Sequence, residues 1–327
     1  MELVLSTYGT MLNRDNEGFV VTQNGQRQRI PADDLTLIQI SKAASITSDA
    51  VLLAIEKEIE VVFVDKAGKP QGRIWSPKYG SVSNIRKGQL RFSQSGEAFL
   101  WIRDVLAKKI NNQQALILTM QTGNTSTDQT ESALNKLNNY KQKVLSLKAE
   151  RVSDVAASLR GYEGMASKIY FSALNLFLPE HLRFQERSQH PALDPVNAFL
   201  NYGYGLLYSK IEGALIKAGI DPYIGILHRD EYNRPVLVYD VIELYRIWID
   251  YVVWTLACQD IITDDCYSVK NNQSYWLEPF GRRVLIQSVN DYLDELIVEN
   301  SLSRTRATHI NLYAQNLAQK FKQYKQL

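Results

Sequence analysis

An acidic pair, Asp240 and Glu243, interrupts the apolar run of residues 235–245. The three-residue spacing places both carboxylates on one face of a predicted helix. Two like charges at this separation repel each other, so a nearby cation would stabilise the pair. That cation could be Arg246 in a salt bridge or a divalent metal ion, and the spacing is compatible with either.

Glu163 is a third acid in an apolar setting, and two glycines flank it. Residues 152–177 have helical apolar spacing, with Gly161 and Gly164 in the interior. Each interior glycine costs a helix about 0.5 to 1 kcal/mol relative to alanine, so the pair indicates a packing or access requirement. Close approach of another backbone would explain it. The alternative is that Glu163 is a solvated carboxylate beside a tight helix crossing.

His228 ends a short apolar segment that follows a well-marked helix. Asp194 and Pro195 predict the start of that helix, and Gly219 predicts its end. Residues 221–228 then lead into a polar turn, which places the imidazole at the edge of the core. A histidine there either makes structural hydrogen bonds or binds a metal ion.

These candidates could converge on one site, because charged side chains are rare in a core unless they are paired or bind metal. Two carboxylates and one imidazole suit Mg²⁺ or Mn²⁺ better than zinc. Three protein ligands leave coordination positions for water and a phosphate oxygen. This arrangement would support metal-assisted phosphoryl transfer, in which the cation neutralises the scissile phosphate and orients the attacking oxygen.

The elements that must position these residues change character along the chain. Short apolar and β-branched runs predict strands in the first part, with one helix beginning near Ser48. These runs are residues 3–8, 19–23, 35–40 and 61–64. After about Lys87 the apolar spacing becomes helical. We therefore expect an α+β protein, with a small, mostly β, sandwich-like domain over residues 1–87 and a larger all-α catalytic domain over residues 88–327.

Bulk composition is that of an ordinary globular protein and argues against several classes. The 327 residues are 45% hydrophobic, enough for one large or two moderate cores. The longest apolar stretch, residues 236–257, contains four charged residues, which argues against a membrane span. Cys258 and Cys266 are the only cysteines and form no CxxC pair, so no thiolate metal site is expected. The first ten residues lack a signal-peptide pattern, and we expect a cytoplasmic protein without membrane association.

The net charge of +2 gives no nucleic-acid signal by itself, but the charges are unevenly distributed. No acid lies between Asp65 and Glu97, whereas seven basic residues lie there, interleaved with aromatic residues. This segment is a candidate phosphate-binding strip, with a solvated basic surface as the alternative. The candidate DNA contacts are Arg73, Lys78, Arg86 and Lys87 in this segment, with Arg282 and Arg283 on a later helix.

Four sequence blocks resemble, in order and spacing, the signature blocks of the CRISPR-associated integrase family of spacer acquisition. They are RGYEGMASKIYF at 160–171, PVNAFLNYGY at 195–204, DPYIGILH at 221–228 and YDVIE at 239–243. The strand-rich region is also similar, so the resemblance spans nearly the whole chain. One block alone would be weak, whereas the four together are specific.

The resemblance implies a divalent-metal-dependent DNA endonuclease and integrase. Glu163, His228 and Glu243 fall on the metal-ligand positions of that family, and Asp240 falls on an acid that orients or tunes the site. Because Glu243 is longer than the aspartate at this position, the resemblance leaves open which acid of the pair contacts the metal directly.

The resemblance also implies partners. The β domains would form a homodimer, and two dimers would flank a small ferredoxin-like adaptation protein to capture a short DNA duplex. The 3′-hydroxyls of the duplex would attack repeat phosphates of a CRISPR array, and the same chemistry would cut branched DNA during antiviral defence. One alternative is a transposon-type integrase of this fold, which usually carries an added DNA-binding module. The other is a non-catalytic DNA-binding scaffold, which should lack a ligand position.

Overall fold

A computed structural model describes residues 2–65, 70–74, 82–121, 128–228, 234–270, 273–299 and 301–324. The chain divides into two compact units, Met1–Gly80 and Ser81–Leu327. Residue 87, the boundary expected from the sequence, lies inside a helix of the second unit, Ser83–Ser93. Within the described ranges, no helix is both long and apolar enough to cross a membrane.

The described part of the first unit contains two four-stranded sheets and one α-helix. Its elements are β1 (Glu2–Leu5), β2 (Met11–Asp15), β3 (Gly18–Gln23), β4 (Gln26–Pro31), β5 (Leu37–Ser41), β6 (Ser45–Ile46), α1 (Ser48–Glu56), β7 (Glu60–Val64) and β8 (Pro70–Ile74). The strand orders are β1-β5-β7-β8 and β4-β3-β2-β6. Leu12, Phe19, Ile38 and Leu53 are buried in a core to which both sheets and α1 contribute. The predicted strand-rich, sandwich-like region is confirmed.

The second unit is mainly helical. Its described elements are α2 (Ser83–Ser93), α3 (Gly96–Gln121), α4 (Asp128–Ser146), α5 (Ala156–Asn175), α6 (Pro195–Lys217), α7 (Val236–Ile242), α8 (Arg246–Cys258), β9 (Tyr267–Lys270), β10 (Ser274–Leu277), α9 (Pro279–Asp294), β11 (Leu296–Glu299), β12 (Leu302–Thr305) and α10 (Arg306–Gln323). The α+β class is confirmed. The antiparallel hairpins β9–β10 and β11–β12 are an addition that the all-α expectation missed, because strands of four residues are too short to show a clear alternating pattern.

Helix α6 forms the centre of the second unit and is buried along most of its length. Asp194 caps its first turn by accepting a hydrogen bond from the backbone N–H of Asn197 at 2.7 Å, as predicted from the Asp-Pro pair. Gly203 lets α8 approach closely, because a Cβ at this position would lie 2.5 Å from a methyl carbon of Ile249. Since α6 also contacts α7, it fixes two of the elements that carry the candidate site.

Candidate active site

Asp240 of α7 has a fully buried side chain that holds the segment ending in His228. Its carboxylate accepts hydrogen bonds from the backbone N–H groups of Ile226, Leu227 and His228, at 2.7, 3.2 and 3.3 Å. Oδ1 also lies 2.8 Å from Nδ1 of the His228 ring. These four contacts offset the large cost of burying a carboxylate. Asp240 therefore positions the backbone and the ring of His228 together.

The His228 side chain is 33% exposed, and Asp240 determines its tautomer. An ionised carboxylate can only accept, so Nδ1 donates the proton and Nε2 of the neutral ring keeps its lone pair. Burial lowers the pKa of His228, but the hydrogen bond and charge of Asp240, with the charges of Glu243 and Glu163, outweigh burial and raise it. Above this raised pKa, the lone pair of Nε2 is available to accept a hydrogen bond or to bind a metal ion.

Glu163 of α5 and Glu243, which directly follows α7, share a cation, Lys109 of α3. The Lys109 ammonium contacts Oε1 of Glu163 and lies 2.5 Å from Oε2 of Glu243. Oε1 of Glu243 accepts a hydrogen bond from Nε of Arg246 at 2.9 Å. Burial would raise the pKa of Glu243, but Arg246 and Lys109 outweigh burial and lower it to about 2. Glu243 is therefore ionised at neutral pH.

Lys109 lies outside the sequence motifs, although a signal for it exists. It follows Ile102 and Leu106 at helical spacing on the buried face of α3, and its side chain is only 8% exposed. A charged residue in an apolar stripe is rare unless it is paired. Its partner Glu163 is 54 residues away, so local spacing does not reveal the pair.

Gly161 and Gly164 do not mark a close helix crossing. A Cβ added at either position would meet no heavy atom of the described residues within 4 Å. The expectation that another backbone approaches here is therefore wrong, and so is the alternative of a tight crossing beside Glu163. Access is the remaining reason for the two glycines, since the helix surface is open next to Glu163, whose side chain is 29% exposed.

The donor set fits a hard divalent cation by its chemistry, since it combines two carboxylates with an imidazole nitrogen. Oε2 of Glu243 is buried and lies 2.5 Å from the Lys109 ammonium, so a cationic side chain already contacts this oxygen. Among the described residues, no three His, Cys, Asp or Glu side chains are arranged to hold a metal ion. The chemical types of these side chains are those of metal ligands, but in this structure the two glutamates form ion pairs with Lys109 and Arg246.

A further buried acid, Asp250 of α8, is linked to Arg246 through the side chain of Tyr204. Its carboxylate accepts hydrogen bonds from the hydroxyl groups of Tyr170, at 2.9 Å, and Tyr204. The guanidinium carbon of Arg246 lies 4.8 Å from the centre of the Tyr204 ring. Burial raises the pKa of Asp250 to about 6, against the opposing effect of the two tyrosine hydrogen bonds. Tyr204 thus connects Asp250 with the arginine that binds Glu243.

Comparison with known proteins assigns the family. The family model described as "CRISPR associated protein Cas1" matches residues 3–291. The chain belongs to the Cas1 family. A curated relative, "CRISPR-associated endonuclease Cas1 1" of Archaeoglobus fulgidus, is 32% identical over 308 residues, which cover 90% of this chain and 88% of the relative. The family resemblance found in the sequence motifs is confirmed.

Two solved structures share the fold of this Cas1-family chain. A chain of the "Cas6-RT-Cas1–Cas2 complex" has a TM-score of 0.79 at 22% identity, and the match covers 98% of this chain and 35% of that longer chain. The "Casposase bound to integration product" has a TM-score of 0.82 at 21% identity, covering 100% of this chain and 92% of that one. At these identities the similarity supports the fold alone.

The candidate DNA contacts of this Cas1-family chain differ in their exposure. Arg73 of β8 is ion-paired with Glu60 of β7 and its side chain is only 5% exposed, so burial removes it from the set of surface cations. Lys78 lies outside the described residues. Arg86 and Lys87 are exposed on α2, whereas on α9 Arg283 is exposed and Arg282 is half-buried.

Proposed function

We propose that this chain is a metal-dependent DNA endonuclease and integrase that inserts short foreign DNA duplexes, called protospacers, into a CRISPR array. The observation that carries the proposal is that Glu163 and Glu243, distant in sequence, share the cation Lys109, while Asp240 next to Glu243 holds the ring of His228. Family membership supports it, because the Archaeoglobus relative is named an endonuclease. The casposase of the same fold is bound to an integration product.

Glu163, Glu243 and Nε2 of His228 are the proposed metal ligands. Glu243 is preferred over Asp240 as the direct ligand, because both oxygens of Asp240 are engaged by backbone N–H groups and the imidazole. Asp240 orients the ring, and Arg246 keeps Glu243 ionised and in place. When bound, Mg²⁺ or Mn²⁺ would neutralise charge on the scissile phosphate and favour the attacking oxygen.

The proposed reaction is transesterification. The 3′-hydroxyl of the protospacer attacks a repeat phosphodiester, so that one P–O bond forms while another breaks. The attacking hydroxyl loses its proton, and the leaving 3′-oxygen gains one. With water in place of the hydroxyl, the same site would hydrolyse branched DNA. The open surface around Gly161 and Gly164 would let the DNA backbone reach Glu163.

The proposed partners are double-stranded and branched DNA, a second copy of the chain bound through the strand-rich unit, and a small ferredoxin-like adaptation protein. The solved "Cas6-RT-Cas1–Cas2 complex" contains a chain of this fold, which supports a partner protein. We propose Arg86, Lys87 and Arg283 as phosphate contacts, with Arg282 beside them. The proposed location is the cytoplasm of a prokaryotic cell, where a CRISPR array would be found.

The first test is strand transfer of a labelled short duplex into a supercoiled plasmid that carries a CRISPR repeat, with and without the partner protein. Wild type is measured in Mg²⁺, Mn²⁺ and EDTA beside Glu163→Ala, His228→Ala and Glu243→Ala. The matched control is His181→Ala, because the His181 side chain is 65% exposed. We expect metal-dependent joining by wild type and the control, and none by the three site variants, with dimerisation and DNA affinity retained.

Each contrary outcome has a defined meaning. Unchanged joining by a site variant would remove that residue from the mechanism. Binding of DNA by folded wild type without joining or cutting in either metal would favour the non-catalytic scaffold. Insertion that requires transposon-end sequences on the donor duplex and does not depend on the repeat would favour a transposon-type integrase. The casposase has the same fold, so the fold is compatible with this alternative.

A further inference from the structure

Lys109 lies between the two carboxylates that are proposed as metal ligands. Its ammonium touches Glu163 of α5 and Glu243 directly after α7, and its side chain is only 8% exposed. The neighbouring Lys108, by contrast, is half-exposed and pairs with Glu299. A buried lysine that joins two acids is therefore a specific feature of this position on α3.

We propose that Lys109 is a tethered cation that holds Glu163 and Glu243 together before metal binds and then competes with the divalent ion for the same two carboxylates. The inference rests on the proposed function, since it assumes that these acids are metal ligands. Lys109 is a positioning residue in this view. The Lys109 ammonium keeps the two carboxylates close together before metal binds. It also lowers the affinity of the site for the metal ion.

The charge balance of the cluster supports competition. Glu163, Glu243 and the adjoining Asp240 contribute three negative charges, and Lys109 with Arg246 contributes two positive charges, so the site carries one net negative charge when His228 is neutral. A divalent ion gains less Coulomb energy from a site with one net negative charge than from a site with two. Removing the Lys109 ammonium leaves two net negative charges, which favours the entering ion.

The geometry supports the same conclusion. Oε2 of Glu243 is buried and lies 2.5 Å from the Lys109 ammonium, which also contacts Oε1 of Glu163. The ammonium therefore occupies the space between the two carboxylates that a shared metal ion would need. A divalent ion must displace Lys109 from at least one of these oxygens before both acids can bind it.

The test compares wild type, Lys109→Met and Lys108→Met, with the exposed neighbouring lysine as the matched control. Mn²⁺ binding is measured from the electron paramagnetic resonance signal of free Mn²⁺ at low ionic strength. The shift in Tm on addition of Mn²⁺ is measured in parallel. We expect Lys109→Met to bind Mn²⁺ about tenfold more tightly than wild type and to show the larger rise in Tm. Lys108→Met should match wild type in both measurements.

Equal or weaker Mn²⁺ affinity in folded Lys109→Met would overturn the inference. If Lys109→Met does not fold, Lys109→Gln is measured by the same criteria. Glu243→Gln separates this inference from the proposed function. Mn²⁺ binding that does not weaken in Glu243→Gln would show that the metal is bound elsewhere. If Mn²⁺ affinity falls in Glu243→Gln but is unchanged in Lys109→Met, the proposed metal site is supported and the proposed role of Lys109 is excluded.

Discussion

Asp240 and Glu243 are three residues apart at the end of α7, yet the molecule satisfies their charges in different ways. Asp240 is bound by three backbone N–H groups and the ring of His228. Glu243 is bound by two cationic side chains, Lys109 and Arg246. The two halves of the site therefore differ in kind: Asp240 is held mainly by the backbone, and Glu243 is held by side chains alone.

This difference separates the positioning of His228 by Asp240 from the metal binding proposed for Glu243. Backbone N–H groups cannot move away without unfolding the segment that carries His228, so Asp240 is fixed in one arrangement. Lysine and arginine side chains can change rotamer, so the surroundings of Glu243 can adapt when a cation or a phosphate enters. Replacing each acid tests whether this division is real.

Asp240→Ala should produce the largest effect, a loss of about 3 to 5 kcal/mol in the free energy of unfolding, because it leaves three buried N–H donors and a buried imidazole contact without their acceptor. Urea denaturation measures the loss. Glu243→Ala should lose less, since Lys109 keeps its contact with Glu163. Asp240→Asn, which retains one carbonyl oxygen, should lie between wild type and Asp240→Ala. Equal losses of unfolding free energy in Asp240→Ala and Glu243→Ala would contradict the proposed difference between the two acids.

Asp250 provides a third kind of buried acid, one held by two tyrosine hydroxyl groups. Because the pKa of Asp250 is raised to about 6, the folded state binds its proton more tightly than the unfolded state does. The Asp250 contribution to stability is therefore present at low pH and lost as pH rises from about 4 to 6, by about 3 kcal/mol in total. The contribution of Glu243 depends on pH in the opposite direction. Because its pKa is lowered to about 2, this contribution is present at neutral pH and is lost as the pH falls below about 4.5.

Asp250→Asn should remove this loss. Urea denaturation of wild type and Asp250→Asn from pH 4 to pH 7 should show the stability of wild type falling relative to the variant as pH rises. A constant difference between the two proteins across this range would show that Asp250 keeps an ordinary pKa, and that the tyrosines hold it as a charged group.

Much of the site could be predicted, because its acids and histidine interrupt apolar elements. A charged group inside an apolar helix needs a partner, so Glu163, Asp240 and Glu243 were candidates that could converge with His228, and the family resemblance assigned them to one site. The structure brings Glu163 and Glu243 to one cation, Lys109, and Asp240 to the ring of His228. The strand-rich first unit followed in the same way from short β-branched runs.

The rest depended on contacts between distant parts of the chain. The sequence pattern left Asp240 and Glu243 as one repelling pair, since backbone donors at residues 226–228 are invisible in a one-dimensional pattern. Arg73 looked like a surface cation until strand pairing placed it beside Glu60. Gly161 and Gly164 predicted a packed crossing where the surface is open, because a glycine pair has the same sequence pattern in both cases.

The ring of His228 connects the two halves and should make metal binding depend on pH. Because its pKa is raised, the protonated ring persists to a higher pH than in an ordinary histidine, and a protonated ring cannot bind metal. Mn²⁺ affinity should therefore fall about tenfold for each pH unit below that pKa. Asp240→Asn removes the charge that raises the pKa, so its binding curve should shift to lower pH. An unshifted curve would mean that Asp240 does not control the ring.

Gly164→Ala should have the smallest effect on stability and the opposite sign. Alanine is favoured over glycine in a helix by about 0.5 to 1 kcal/mol. In the described part of the chain, a Cβ at this position meets no atom within 4 Å, so the variant should be slightly more stable than wild type. If the open surface beside Glu163 admits the DNA backbone, the added methyl group should still reduce strand transfer. Urea denaturation and the joining assay on the same preparation measure both effects. Higher stability with unchanged joining would show that DNA does not approach over this face, and that the binding half of the site is reached from another side.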